Sequence, residues 1–133
     1  MKFEHFAINV AQPRAMSDWY EKHIGLKVVM KKDQSPYMTF LADDSGTIMI
    51  EIYSNPNAPI LDFENQHPLV LHLALVSEDP AKDRDRLIKA GAELISDDIL
   101  GDGSHLVMLK DPWGLALQLC KRAKPMLASK TGV

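Results

Sequence analysis

The chain repeats itself at a spacing of about 67 residues. His5 and His72 stand 67 apart, and so do Glu51 and Gln118, while Gly25 and Gly91 stand 66 apart. A repeat of this kind is a strong constraint, because both halves must build the same supersecondary unit. In the first half, residues 2–10 alternate as a strand does. Pro13 then opens a helix whose Met16, Trp19, Tyr20 and His23 fall at helical spacing, and Gly25 stops it. Runs 26–32, 37–42 and 47–54 read as three strands. The order is β-α-β-β-β. Residues 55–68, with Pro56, Pro59 and Pro68, read as a linker. The order then restarts. A strand over 69–76 precedes a helix capped by Asp79-Pro80 and ended by Gly91. Strands follow near 92–96, 105–110 and 115–122, the last two joined by the turn Asp111-Pro112-Trp113-Gly114. The expected class is α+β, two βαβββ modules over about 1–54 and 69–122 in one domain (1–122), with a loosely ordered tail over 123–133.

Composition narrows the partners. With 15 Lys and Arg against 18 Asp and Glu, the net charge is −3, and no basic surplus suggests nucleic acid. The longest apolar run, residues 69–76, contains His72 and falls well short of the roughly 20 residues a membrane span needs. The opening MKFEHFAINV lacks the basic-then-apolar pattern of a leader, and Cys120 is the single cysteine. Both features predict a cytoplasmic protein without disulfides.

Strand alternation sorts the side chains by face. Ile8, Ile50 and Ile52, and in the second half Leu73, Leu75, Leu117 and Leu119, occupy aliphatic faces suited to packing under a helix. The opposite faces carry His5, Glu51, His72 and Gln118 among small or apolar neighbours. One histidine on a strand is more often structural than functional. Four polar residues sharing one period and one facing are harder to dismiss. Two imidazoles with oxygen donors suit zinc, nickel, cobalt, manganese or ferrous iron. A cation also supplies the partner that a buried carboxylate requires.

These residues resemble the vicinal oxygen chelate superfamily, which includes glyoxalase I and antibiotic-resistance proteins. The resemblance rests on His5-Phe-Ala-Ile-Asn-Val, Trp19-Tyr20-Glu-Lys-His-Ile-Gly25-Leu, Ile50-Glu51-Ile, Leu71-His72-Leu-Ala-Leu and Asp111-Pro-Trp-Gly-Leu-Ala-Leu-Gln118-Leu. It implies paired βαβββ modules forming an incomplete barrel around a divalent metal. It is strongest toward bacterial glyoxalase I, whose His, Glu, His and Glu ligands map onto His5, Glu51, His72 and Gln118. Gln118 is the departure, since an amide can ligate but cannot act as a base. The implied activity is that of a lyase or isomerase working on a small vicinal-oxygen substrate through an enediolate, with Glu51 moving the proton. The alternative is non-catalytic binding or sequestration of a small molecule, as in the antibiotic-resistance relatives. The resemblance also implies a homodimer.

The remaining candidates have lesser roles. Tyr53 shares the face of Glu51 and could contact substrate. Cys120 shares the face of Gln118 and reads as a small core residue. His105 reads as a solvated loop-end histidine within possible reach of substrate, and Trp113 as an exposed aromatic. His23 and His67 receive no role.

Overall fold

In the computed structural model, which describes residues 1–127, the chain divides into two compact units after Leu61. In the first, β1 (His5–Asn9), α1 (Pro13–Trp19), β2 (Lys27–Lys31), β3 (Thr39–Ala42) and β4 (Met49–Tyr53) form a four-stranded sheet in the order β1-β4-β3-β2. In the second, β5 (Leu73–Val76), α2 (Pro80–Lys89), β6 (Glu93–Ile99), β7 (His105–Lys110) and β8 (Ala116–Lys121) form a sheet in the order β5-β8-β7-β6. The expected βαβββ modules are both present, with one topology. Among the described residues, no helix is long and apolar enough to cross a membrane.

The repeat is carried down to the register. β1 runs parallel to β4 with Ala7 opposite Glu51, and β5 runs parallel to β8 with Ala74 opposite Gln118. The partners are 44 residues apart in both cases. The edge strands β2 and β6 each carry a bulge, between Val28 and Met30 and between Leu94 and Ser96. A bulge reverses the facing of later residues and bends an exposed edge.

Each unit buries one face under its helix. Ile8, Ile52, Leu41 and Ile50 are register neighbours, and α1 packs on β3 and β4 with Met16 and Tyr20 buried. In the second unit Leu117, Leu119, Leu109 and Val107 form the matching strip, and α2 brings Leu87 against it. Burying one such side chain is worth about 1.5–3 kcal/mol. Pro13 opens α1, which passes into a π-helical turn (Tyr20–Ile24), and Gly25 ends that turn at φ 87°. Pro80 opens α2, and the Asp79 side chain accepts from the Lys82 N–H at 3.1 Å.

Two elements differ from expectation. Residues 68–70 form a turn, residues 71 and 72 lie outside any strand, and β5 begins only at Leu73. The Leu69 N–H donates to His67 Nδ1 at 3.1 Å and the Val70 N–H to the His67 carbonyl at 2.9 Å. Local bonds thus satisfy backbone that apolar composition had suggested was sheet. Conversely, β6 continues through Asp97 and Asp98 to Ile99. Asp97 is held there by Arg84 of α2 and by His105, whose Nε2 lies 2.6 Å from Asp97 Oδ1. His105 is therefore a hydrogen-bond partner of Asp97 rather than a solvated loop histidine. Its alternation with Val107 and Leu109 places it on the helix-covered face, away from Gln118. Trp113 is half-buried rather than exposed, and its backbone N–H donates to Asp111 Oδ1 at 2.9 Å. The expected loose order of the tail concerns residues that, from 128 onward, lie outside those described.

Two stability predictions follow from this packing. Gly114 has φ +90°, and a Cβ there would lie 2.4 Å from the Glu64 Cα, whereas Gly103 at φ +88° faces open space. Urea unfolding should therefore show Gly114→Ala costing about 2 kcal/mol or more and Gly103→Ala distinctly less. Equal losses would mean that conformation rather than close approach sets the cost. His105 first, and Arg84 after it, hold the Asp97 carboxyl below its ordinary range. A depressed carboxylate stabilises the fold above its unfolded pKa of about 3.9, and the contribution is lost as pH falls through the folded value. Asp97→Asn should thus unfold at lower urea than the native chain at pH 7, with the gap closing toward pH 3.

Candidate metal centre

The open face of the first sheet is half-buried and mostly apolar, with Phe40, Met49 and Tyr53 around Glu51. His5 stands two residues before Ala7, the register partner of Glu51, so both side chains project from one face. His5 Nε2 lies 3.3 Å from Glu51 Oε2. The other ring nitrogen, Nδ1, lies 3.1 Å from Glu4 Oε1. An ionised carboxylate only accepts, so Nδ1 carries the hydrogen in that bond. In the neutral ring Nε2 then presents its lone pair to a second carboxylate. Two lone-pair donors facing one another call for a shared cation, either a proton or a metal ion. Donors bound at about 2.0–2.1 Å around a tetrahedral metal lie roughly 3.3 Å apart, so the observed separation fits such an ion. Phe40, opposite Glu51 in the register, meets the His5 ring edge-on at 5.4 Å and 86°.

The second unit repeats the spacing, but His72 lies one residue before β5 rather than in the strand. His72 stands two residues before Ala74, the register partner of Gln118. Its Nδ1 lies 3.0 Å from the Pro68 carbonyl, an acceptor, and so again carries the hydrogen and leaves Nε2 as the donor atom of the neutral ring. Gln118 Oε1 accepts from Cys120 Sγ at 3.3 Å. Met108, opposite Gln118, takes the place that Phe40 has in the first unit. Burial pushes the Cys120 thiol above its ordinary pKa, with Arg122 opposing, so the sulfur stays protonated and donates.

The structure thus brings His5 and Glu51 together, whereas His72 lies just before β5, outside the ladder that pairs Ala74 with Gln118. Among the described residues, no group of three or more His, Cys, Asp or Glu side chains is placed to hold a metal ion. Tyr53 lies on the face of Glu51, opposite Asn9 in the register. Two contributors were not evident from the sequence. One is Glu4, which orients His5, because an exposed acid before a strand has no distinctive pattern. The other is Asn9, which closes β1. Its Nδ2 donates to the carbonyls of Asn55, Ala58 and Pro59 at 3.1–3.3 Å, and its Oδ1 accepts from the Asn55 N–H at 2.6 Å. An asparagine at a strand end, before a turn, was the available signal.

The model of the Glyoxalase/Bleomycin resistance protein/Dioxygenase superfamily matches residues 2–119. No curated protein matches the chain by sequence. Among solved structures, TnmS3, an antibiotic-binding protein from Streptomyces sp. CB03234, is similar at a TM-score of 0.69 and 16% identity, over 90% of this chain and 94% of that one. SMU.1112c is similar at a TM-score of 0.70 and 24% identity, over 91% and 98%. Lactoylglutathione lyase from Agrobacterium tumefaciens is similar at a TM-score of 0.65 and 17% identity, over 89% and 91%. At these identities the likeness is one of fold.

The ring orientations give a test. In a cobalt(II) titration followed by visible absorption, His5→Ala should weaken binding about 100-fold or more, since it removes a nitrogen donor. Glu4→Gln should weaken it about tenfold, as expected for a residue that orients a ligand. Unchanged affinity in His5→Ala would remove His5 from the ligand set.

Proposed function

This chain belongs to the Glyoxalase/Bleomycin resistance protein/Dioxygenase superfamily, and from that premise we propose a metal-dependent lyase or isomerase of the glyoxalase I type. The observation that carries this reading is the Nε2 of His5 facing the Glu51 carboxylate at 3.3 Å on a mostly apolar face. The proposed ligand set is His5, Glu51, His72 and Gln118, in a homodimer. When bound, a divalent zinc, nickel, cobalt, manganese or iron ion would supply Lewis-acid polarisation of two adjacent substrate oxygens.

The chain's own residues would do the rest. Glu51 is the one carboxylate in the set. It would take the proton from the carbon bearing one oxygen and return it to the neighbouring carbon, so the proton is conserved and the two carbons exchange oxidation level. Phe40 and Tyr53 would wall the reacting carbons from water. Gln118 would contribute a neutral oxygen and no base. Its amide is already oriented by the Cys120 thiol. A ligand set with one negative charge would leave the ion net positive, which favours an anionic reacting species.

A second reading is binding without turnover of a small molecule. Its support is Gln118 itself, which stands where a second carboxylate would be needed for chemistry with two opposed bases. TnmS3 shows that the same fold serves in an antibiotic-binding protein.

Hemithioacetal isomerisation, assayed with metal content measured in parallel, separates the two. Glu51→Gln should lose about 100-fold or more of the activity while keeping much of its metal. Gln118→Glu should keep the metal and raise the rate by supplying a second base. A fully active, metal-loaded Glu51→Gln variant would refute the proton-transfer role. A native protein that holds metal and ligand without turnover would favour the binding reading.

A further inference from the structure

We propose that a cavity of about 350 Å³ beside the start of α1 binds a small organic acid, a carboxylate carried on an aromatic ring. The volume lies within the range of small-molecule sites, about 300–1,000 Å³. Ala11, Pro13, Ala15 and the Tyr37 ring give the wall its apolar character, and Ser54 adds a hydroxyl. Arg14 is the charged residue in this lining. None of these residues belongs to the proposed metal ligand set, so the cavity stands independently of that reading.

The wall is preorganised around Tyr37. This residue has φ +57°, a region that bulky side chains seldom adopt. Its N–H donates to the Gln34 carbonyl at 2.7 Å, and the Ser54 N–H donates to the Pro36 carbonyl at 2.8 Å. On the other side, the Lys32 N–H donates to the Met38 carbonyl at 2.8 Å. The Arg14 guanidinium donates to the Asp33 carbonyl at 2.8 Å and sits 5.0 Å from the Tyr37 ring centroid. Yet the Tyr37 ring is not in the core, since the residue is 38% exposed. The turn onto Gln34 thus holds the ring at the surface, where the Arg14 guanidinium lies over it and the two together form one side of the wall.

Charge selects the ligand. The Asp33 carboxylate already approaches Arg14 Nη2 at 3.4 Å, and its side chain is 79% exposed. So loose and solvated a pair is weak, and a ligand carboxylate can take its place on the guanidinium. The aromatic body would then lie against the alanine and proline wall beside Tyr37.

Phenylacetate titrated into the ¹⁵N-labelled full chain tests this, with phenylacetamide as its neutral isostere. Saturable amide shifts are expected at residues 11, 12, 14, 15, 37 and 54, and phenylacetamide should bind about tenfold more weakly. Arg14→Gln should weaken phenylacetate by about tenfold, and Asp33→Asn should tighten it by removing the competing carboxylate. Tyr37→Gly should weaken binding without lowering the unfolding midpoint, because glycine adopts positive φ freely. The proposal is overturned by equal affinity for the amide, by an Arg14→Gln variant that binds as the native chain does, or by no saturable shift at these residues below about 10 mM.

Discussion

Parallel pairing of the first and last strands of each module governs everything else in the structure. β1 with β4, and β5 with β8, meet at one constant offset of 44 residues. Such a pair cannot be closed by a tight turn, so the intervening helix and two strands must be threaded between its members. The offset also fixes which residues share a face. Ile8 falls beside Ile52 and Leu75 beside Leu119, which builds the surface the helix covers. The other parity then brings His5 and Glu51 together. A slip of one residue would send Glu51 under α1 and Ile52 to the open face.

The two histidines are oriented by different devices. His5 is oriented by a neighbouring carboxylate, Glu4, and His72 by the backbone carbonyl of Pro68. Both devices protonate Nδ1 and present Nε2. The oxygen donors differ more. Glu51 is anionic and faces an imidazole nitrogen, whereas Gln118 is neutral and accepts from a thiol. Of the four residues, Glu51 alone is a carboxylate, and it stands in the first unit, where the proton-transfer chemistry is proposed to reside.

The frame is held by contacts remote from those faces. In the second unit, Arg84 of α2 reaches Asp97 of β6, and His105 of β7 meets the same carboxylate. One acid thus ties a helix and two strands together on the covered side. The Asp111 side chain accepts from the N–H groups of Trp113 and Leu115, which shapes the turn into β8 and so sets where Gln118 falls. In the first unit, Asn9 does comparable work by anchoring residues 55–59 to the end of β1.

Much of this was legible in the sequence. The 67-residue repeat, the glycine stops and the alternation of apolar residues determined two βαβββ modules and the common facing of His5 and Glu51, whereas His72, expected in a strand, lies just before β5. Strand parity and helix spacing are local properties, and the chain writes them out directly. Tertiary structure alone decided the pairing partners. It kept residues 69–72 out of the strand, with His67 accepting from the Leu69 and Val70 amides. It joined Asp97 to both His105 and Arg84, which arrive from different elements. It also set the tautomers, through Glu4 in one unit and Pro68 in the other. These outcomes depend on which groups meet across space, and no local pattern of residues specifies that.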